Sequence, residues 1–258
     1  MKHAYEFIEV DVDNTGVATI TFNRPDVRNA LHLPMNLEIR HALAALGADT
    51  NVGALVFQGA GGKSFVSGAD IAELRDRKGP EALAQHNARL CDDIEAFPFP
   101  TIAAVDGWAL GGGCEIALAC DMRVAGAGAR FGQPEVSLGI LPAAGGTWRL
   151  PRIVGLAKAK ELIFTAAIID AQTALAMGLV NYAVPAGQAF AKALELAQTC
   201  AKQSRMAVRL AKIAISEGRH ASASTGSAME ALGQAVLYDD AEKMARMTAF
   251  IERKKKKE

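Results

Sequence analysis

The chain has 258 residues, half of them hydrophobic, enough for one large domain or one domain with an appendage. Lys plus Arg and Asp plus Glu balance at 28 each, so the strongly basic surplus that marks nucleic acid as a main partner is absent. The four cysteines (Cys91, Cys114, Cys120, Cys200) contain no CxxC pair and read as small buried hydrophobes in a reducing compartment rather than as disulfides.

The opening MKHAYEFIEVDVDN is polar and alternating, unlike a secretion signal or a transit peptide. No uninterrupted apolar run is long enough to span a bilayer. The expectation is a cytoplasmic protein without a membrane partner.

GVATITFNRP alternates faces with β-branched residues and ends in a turn signal at Asn23-Arg24-Pro25, which predicts a strand. Met35, Ile39, Ala42, Leu43 and Leu46 then repeat at helical spacing, and Gly47 stands where that helix would end. The pattern recurs: GALVFQG reads as strand, SGADIAELRD as a turn into helix, TIAAVDG as strand, GGGCEIALAC as helix and MRVAG as a short strand. Strands interleaved with helices through short connections imply an α/β protein with a largely parallel sheet.

From about Gly145 the strand signal fades. LAKAKELIF, AQTALAMG with Gly178 as its cap, AFAKALELAQTCAK, RMAVRLAKIAI and DDAEKMARMTAFIER all read as helix. The expected division is an α/β catalytic core over 1–195 and a C-terminal helical region over 196–258. The apolar stripes of those terminal helices must pack on the core or on a neighbouring subunit.

Two glutamates stand almost alone among glycines and aliphatic residues, where a carboxylate is costly to place. Glu115 lies in GGGCEIALACD (111–121) and Glu135 in FGQPEVSLGILP (131–142). On a helix starting near Gly113, Glu115 shares an apolar face with Leu118, Ala119 and Met122. A first-turn glutamate exposed to water and favoured by the helix dipole is the bland alternative. The three preceding glycines weigh against it, because glycine costs helix stability and serves where backbone approaches something closely.

A glycine run leading into a helix exposes unpaired N–H groups able to hold developing negative charge. The loop GAGGKSFVSGADI, with Ser67-Gly68-Ala69-Asp70 before a predicted helix, has similar character. GAGGKS superficially resembles a phosphate-binding P-loop, but Phe57 occupies the required first glycine position. No GxGxxG follows a strand, HExxH is absent and the five histidines are scattered, so dinucleotide and zinc chemistry lack support. His86 reads as a surface helix residue rather than a ligand or base.

The stretches AVDGWALGGGCEIALACDMRVAG, ARFGQPEVSLGILPAAGGTWRLPRIVG, SGADI and NRPDVRNAL resemble the enoyl-CoA hydratase/isomerase (crotonase) superfamily, over nearly the whole chain. The resemblance implies a crotonase-like spiral of β-β-α repeats with a C-terminal helical trimerisation region, assembled as a homotrimer or a hexamer. It implies an acyl-CoA thioester substrate, with oxyanion-hole N–H groups from Ala69 and Gly112. Coenzyme A would arrive as part of the substrate, with no metal and no other cofactor.

Hydratases of the superfamily carry glutamates at the positions of Glu115 and Glu135, whereas many isomerases, hydrolases and decarboxylases lack one of them. The pair therefore favours enoyl-CoA hydratase activity, the reversible syn addition of water to a 2-enoyl-CoA. A Δ3,Δ2-enoyl-CoA isomerase is the alternative within the fold. A polyanion- or RNA-binding protein using the lysine tail is the alternative outside it.

Arg28, Ala30, Ser67, Gly68, Ala69, Asp70, Ile71, Ala72, Gly111 and Gly112 match regions of the family that line the substrate or its coenzyme A moiety. Phe250 and Arg253 match positions that reach a neighbouring subunit's coenzyme A. Ser67, Trp108 and Trp148 depart from common family residues. Trp148 is expected to pack in the core or to wall the acyl pocket.

Overall fold

A computed structural model describes residues 5–255. Among the described residues ten strands form two sheets. The larger contains β1 (Ile8–Val12), β2 (Val17–Phe22), β3 (Ala54–Gly59), β5 (Thr101–Val105), β7 (Met122–Gly126) and β10 (Tyr182–Val184), in that order across the sheet. Among the described residues of this sheet, only the β1/β2 pair is antiparallel. The smaller sheet orders β4 (Ser64–Val66), β6 (Trp108–Leu110), β8 (Arg130–Gly132) and β9 (Ile168–Asp170).

Twelve α-helices accompany the strands among the described residues: α1 (Leu33–Ala48), α2 (Ile71–Asp76), α3 (Gly79–Ala82), α4 (His86–Glu95), α5 (Gly112–Ala119), α6 (Gly146–Val154), α7 (Leu156–Phe164), α8 (Ala171–Ala176), α9 (Ala189–Ala201), α10 (Arg205–Gly218), α11 (Ala223–Tyr238) and α12 (Ala241–Lys255). None is long and apolar enough to cross a membrane. The chain repeatedly lays one strand in the large sheet, one in the small sheet, and then a helical segment. β3-β4-α2, β5-β6-α5 and β7-β8 leading to α6 are three successive turns of this spiral.

The large sheet is covered on both faces, which explains its continuous hydrophobic runs. Val17, Ala54, Val56, Ile102, Ala104 and Val124 point to one face and pack on Ala189, Ala193 and Ala197 of α9. The alternate residues Leu55, Phe57, Ala103 and Val105 join the main core with α1, α4 and α5. There Phe22 stacks on Phe57 at 5.9 Å and meets Phe65 edge-on at 5.1 Å. The division expected after residue 195 falls inside α9, a helix bound to the sheet along its length.

Three further features differ from the sequence reading. Met122 belongs to β7, because α5 ends at Ala119 and Cys120 turns into extended backbone. β9 and β10 lie beyond Gly145; each is three residues long, too short for a period-2 signal. The helix α11 went unpredicted because Ser224, Thr225, Gly226 and Ser227 crowd the start of ASTGSAMEALGQAVLY, and these residues favour caps and turns over helix interiors.

α10 and α11 bury no residue in this chain. Polar tethers hold α10 to the body: Lys212 Nζ donates to Asp121 at 2.8 Å and to the Phe99 carbonyl at 3.1 Å, and Arg205 donates to the Thr50 carbonyl. Ile215, Leu232, Val236 and Phe250 stay exposed.

Candidate active site

The parallel bridge Leu31↔Ala69 orients the first loop of the site. Leu31 N–H donates to the Gly68 carbonyl at 2.8 Å and Asp70 N–H donates to the Leu31 carbonyl at 2.9 Å. Such a bridge uses the neighbours of Ala69 and leaves the Ala69 N–H directed the other way, into a cleft that Ala69 lines. Asn29 pins the facing loop: its buried amide donates to the Ala60 and Ser64 carbonyls, and its oxygen accepts from Arg24 N–H. Both Arg28 and Asn29 take left-handed backbone and close the 3-10 turn Pro25–Val27, their N–H groups donating to the Pro25 and Arg24 carbonyls.

The second loop brings backbone close to backbone. A Cβ on Gly113 would lie 2.0 Å from the Val66 carbonyl oxygen, so only glycine lets α5 seat against β4. A Cβ on Gly112 would lie 3.8 Å from Ala69 N, which sets the first residue of α5 against the Ala69 amide. Gly112 is at the helix start, where N–H groups have no intrahelical acceptor.

The two carboxylates lie in the same cleft, of about 1000 Å³. Glu115 is 3% exposed, which excludes the solvated first-turn alternative. Its Oε1 accepts from Ala144 N–H at 2.7 Å and from Gly146 N–H at 2.8 Å. Burial raises its proton affinity, and the two N–H donors and the nearby Arg149 charge oppose that rise. Glu135 stands on the short 3-10 helix Pro134–Leu138. Burial and the Glu115 charge push its pKa up to about 7.

Gln133, 1% exposed, completes the pair. With its amide nitrogen turned toward Glu135, it donates to Oε1 at 3.0 Å and to Oε2 at 3.2 Å. Turned the other way, its oxygen accepts from a protonated Glu135, so one side chain satisfies both ionisation states. Gly111 makes room on the far side: a Cβ there would sit 3.2 Å from Glu135 Oε1.

The cleft gathers most of the residues singled out by sequence. Glu115, Glu135, Gly111 and Gly112 line it with Ala30 and the run from Ser67 to Ile71. Arg28 and Ala72 are not among its lining residues; the Ala72 amide is instead capped by Asp70 at 3.1 Å. Phe250 and Arg253 lie exposed on α12 and do not line this chain's cleft.

Two aromatic and histidine readings change. His86 opens α4 as part of the cleft wall rather than on open surface. Trp148 is neither core nor wall: it is 37% exposed, with the guanidinium groups of Arg149 and Arg152 over its ring at 4.0 and 4.6 Å. The sequence reading missed Gln133, Ala144, Gly146 and Arg149, which hold the carboxylates. A buried-looking arginine in GGTWRL was the available signal.

Residues 13–257 match the family model for enoyl-CoA hydratase/isomerase. The chain belongs to the enoyl-CoA hydratase/isomerase family. This family member is 42% identical to crotonyl-CoA hydratase of Syntrophomonas wolfei over 98% of its own length and 97% of the relative's. It is likewise 42% identical to the short-chain-enoyl-CoA hydratase of Clostridium acetobutylicum, over 93% and 92% of the two chains. Its fold superimposes on the enoyl-CoA hydratase of Bacillus anthracis with a TM-score of 0.93 at 37% identity, covering 96% of this chain and 97% of that one. The family assignment accounts for the spiral.

Proposed function

We propose that this family member is an enoyl-CoA hydratase that adds water reversibly across the double bond of a 2-enoyl-CoA. The observation that carries this is the pair Glu115 and Glu135, buried in one cleft with unequal support for ionisation. Glu115, with two N–H donors and a nearby arginine, ionises first. Glu135, raised to about 7 by burial and by that charge, keeps its proton longer.

That asymmetry supports a division of labour. Glu115 takes a proton from the attacking water, and Glu135 delivers one to the α-carbon. The thioester oxygen gains negative charge in the process and is met by the N–H groups of Ala69 and Gly112. Removing one preorganised donor of this kind typically costs about 3 to 4 kcal/mol of transition-state stabilisation. In the reverse direction the roles exchange, as one catalyst requires.

Coenzyme A enters with the substrate, and the chemistry asks for no metal or redox group. The loop from Ser67 to Ile71 and Ala30 at the cleft support contacts to its pantetheine arm, while Arg28, Ala72, Phe250 and Arg253 belong to its outer or intersubunit contacts. The exposed apolar side chains of α10 to α12 support a homotrimer, alone or as a dimer of trimers, with α12 approaching a neighbour's cleft. The balanced charge supports no nucleic-acid role.

The test is product analysis. Crotonyl-CoA should lose its conjugated absorbance and yield 3-hydroxybutyryl-CoA. Inertness toward 2-enoyl-CoA substrates of any length, with conversion of 3-enoyl-CoA to 2-enoyl-CoA, would assign the isomerase reaction instead.

A further inference from the structure

Outside the reacting pair, the most unusual buried charge near the cleft is Arg149, 2% exposed on α6. Each of its guanidinium nitrogens is hydrogen-bonded. Nε and Nη2 donate to Glu95 Oε2 at 3.0 and 2.7 Å, Nη2 also donates to Asp92 Oδ1 at 2.8 Å, and Nη1 donates to the Ala144 carbonyl at 2.9 Å. Ala144 is also the residue whose N–H reaches Glu115 Oε1. One peptide unit away from the carboxylate, the arginine grips the same loop.

The two glycines of that loop are fitted to this arrangement. A Cβ on Gly145, which has φ +104°, would lie 2.1 Å from Arg149 Nη1, in the space the guanidinium occupies. A Cβ on Gly146 would lie 3.0 Å from Glu115 Oε1, in the space the carboxylate needs. Arg149 N–H in turn donates to the Gly145 carbonyl at 2.7 Å. The loop is thus shaped on one side by the arginine and on the other by the glutamate.

The network extends outward. Arg219, following α10, pairs with the other oxygen of Glu95. Asp92 and Glu95 both stand on α4, which packs on α5, the helix that bears Glu115.

We propose that Arg149 is a positioning residue for Glu115, clamping the loop 144–146 between α4 and α5 so that its two N–H groups stay aimed at the Glu115 carboxylate. The inference rests on the reading of Glu115 as the base. Arg149 touches no reacting atom and acts through the peptide of Ala144 and through its charge. Facing it are Asp92, Glu95 and Cys91 from α4, Glu115 from α5, Arg219 beyond α10, and Arg152 across the Trp148 ring. Facing Glu115 are Arg149, Glu135, Cys91 and Cys114.

The test measures kcat and KM for crotonyl-CoA across pH, with thermal melts, for Arg149→Met, Arg149→Lys, Glu95→Gln and Glu115→Gln. Removing the positive charge makes Glu115 harder to ionise. The low-pH limb of kcat/KM in Arg149→Met should therefore rise by about one unit, with kcat falling about tenfold or more and KM little changed. Glu95→Gln leaves Arg149 bonded to Asp92 and Ala144 but less neutralised, so its limb should move the opposite way, to lower pH. Arg149→Lys keeps the charge without the fork, so its limb should stay close to wild type while kcat falls.

Opposite shifts in Arg149→Met and Glu95→Gln, set against melts at the same pH values, separate a clamp on Glu115 from loss of fold, which lowers activity only with the folded fraction. A wild-type limb in Glu95→Gln, together with a wild-type limb in folded Arg149→Met or an undiminished kcat in folded Arg149→Lys, would overturn the proposal. Full activity in Glu115→Gln would overturn the reading beneath it, whatever the Arg149 variants do.

Discussion

Glu135 holds its proton up to about pH 7 because it is buried and because the Glu115 carboxylate in the same cleft carries the same charge. The ordinary glutamate value is 4.5, so the folded state binds this proton more tightly than the unfolded state does. The resulting stability is fully present below pH 4.5 and is lost as pH rises through 7. The span corresponds to about 3 kcal/mol.

Glu135→Gln removes that titration while keeping the shape of the protonated acid. The variant should melt close to wild type at pH 5 and about 6 °C or more above it at pH 8.5. Equal differences at the two pH values would show that Glu135 ionises normally in the fold.

Gly113→Ala tests the seat of α5. The added methyl meets the Val66 carbonyl at 2.0 Å, a backbone atom of β4 that cannot swing aside. Displacing α5 should cost about 3 kcal/mol, as overpacking does, and move the Gly112 N–H enough to lower kcat by about a hundredfold. Gly128→Ala, which meets nothing within 4 Å, should leave both melting temperature and kcat unchanged.

The thiols offer a chemical check on the packing. Cys91, Cys114 and Cys120 are buried, and burial pushes the Cys114 and Cys120 thiols up to about 12. A thiol reagent at pH 8 should reach half-buried Cys200 first in the native protein, slowly because burial raises that thiol as well, with the other three reacting on denaturation. Rapid reaction of Cys114 would mean that the base of α5 opens to solvent.

The exposed apolar side chains of α11 carry the assembly expectation. Leu232 is 71% exposed in the single chain. Sedimentation should give a trimer or hexamer for wild type and a smaller species for Leu232→Asp. A wild-type monomer would contradict assembly through these helices.

The sequence displayed the parts of the site that are made of unusual residue types. Isolated glutamates in apolar surroundings and glycine runs before helices stand out, and they mark Glu115, Glu135, Gly112 and the loop at Ala69. β2, α1, β3, α2, β5, α5 and β7 were legible because their apolar periodicities or turn signals are long enough to read, whereas the three-residue strands β4 and β6 and the polar helix α4 were not. The supporting contacts were not legible for a physical reason. Ala144 and Gly146 act through backbone N–H groups, and Arg149 acts through partners on α4 more than fifty positions away, so no local pattern encodes them. Trp148 was misread because an aromatic residue can rest on guanidinium groups as well as in a core.

The most direct test of the two-carboxylate account compares wild type, Glu115→Gln and Glu135→Gln at pH 7, following loss of the conjugated absorbance of crotonyl-CoA and confirming by melting that each variant is folded. Rapid hydration by wild type and a fall of several orders of magnitude in both variants is the expected result, since either amide removes one of the two proton transfers. Near wild-type turnover in either folded variant would contradict the account.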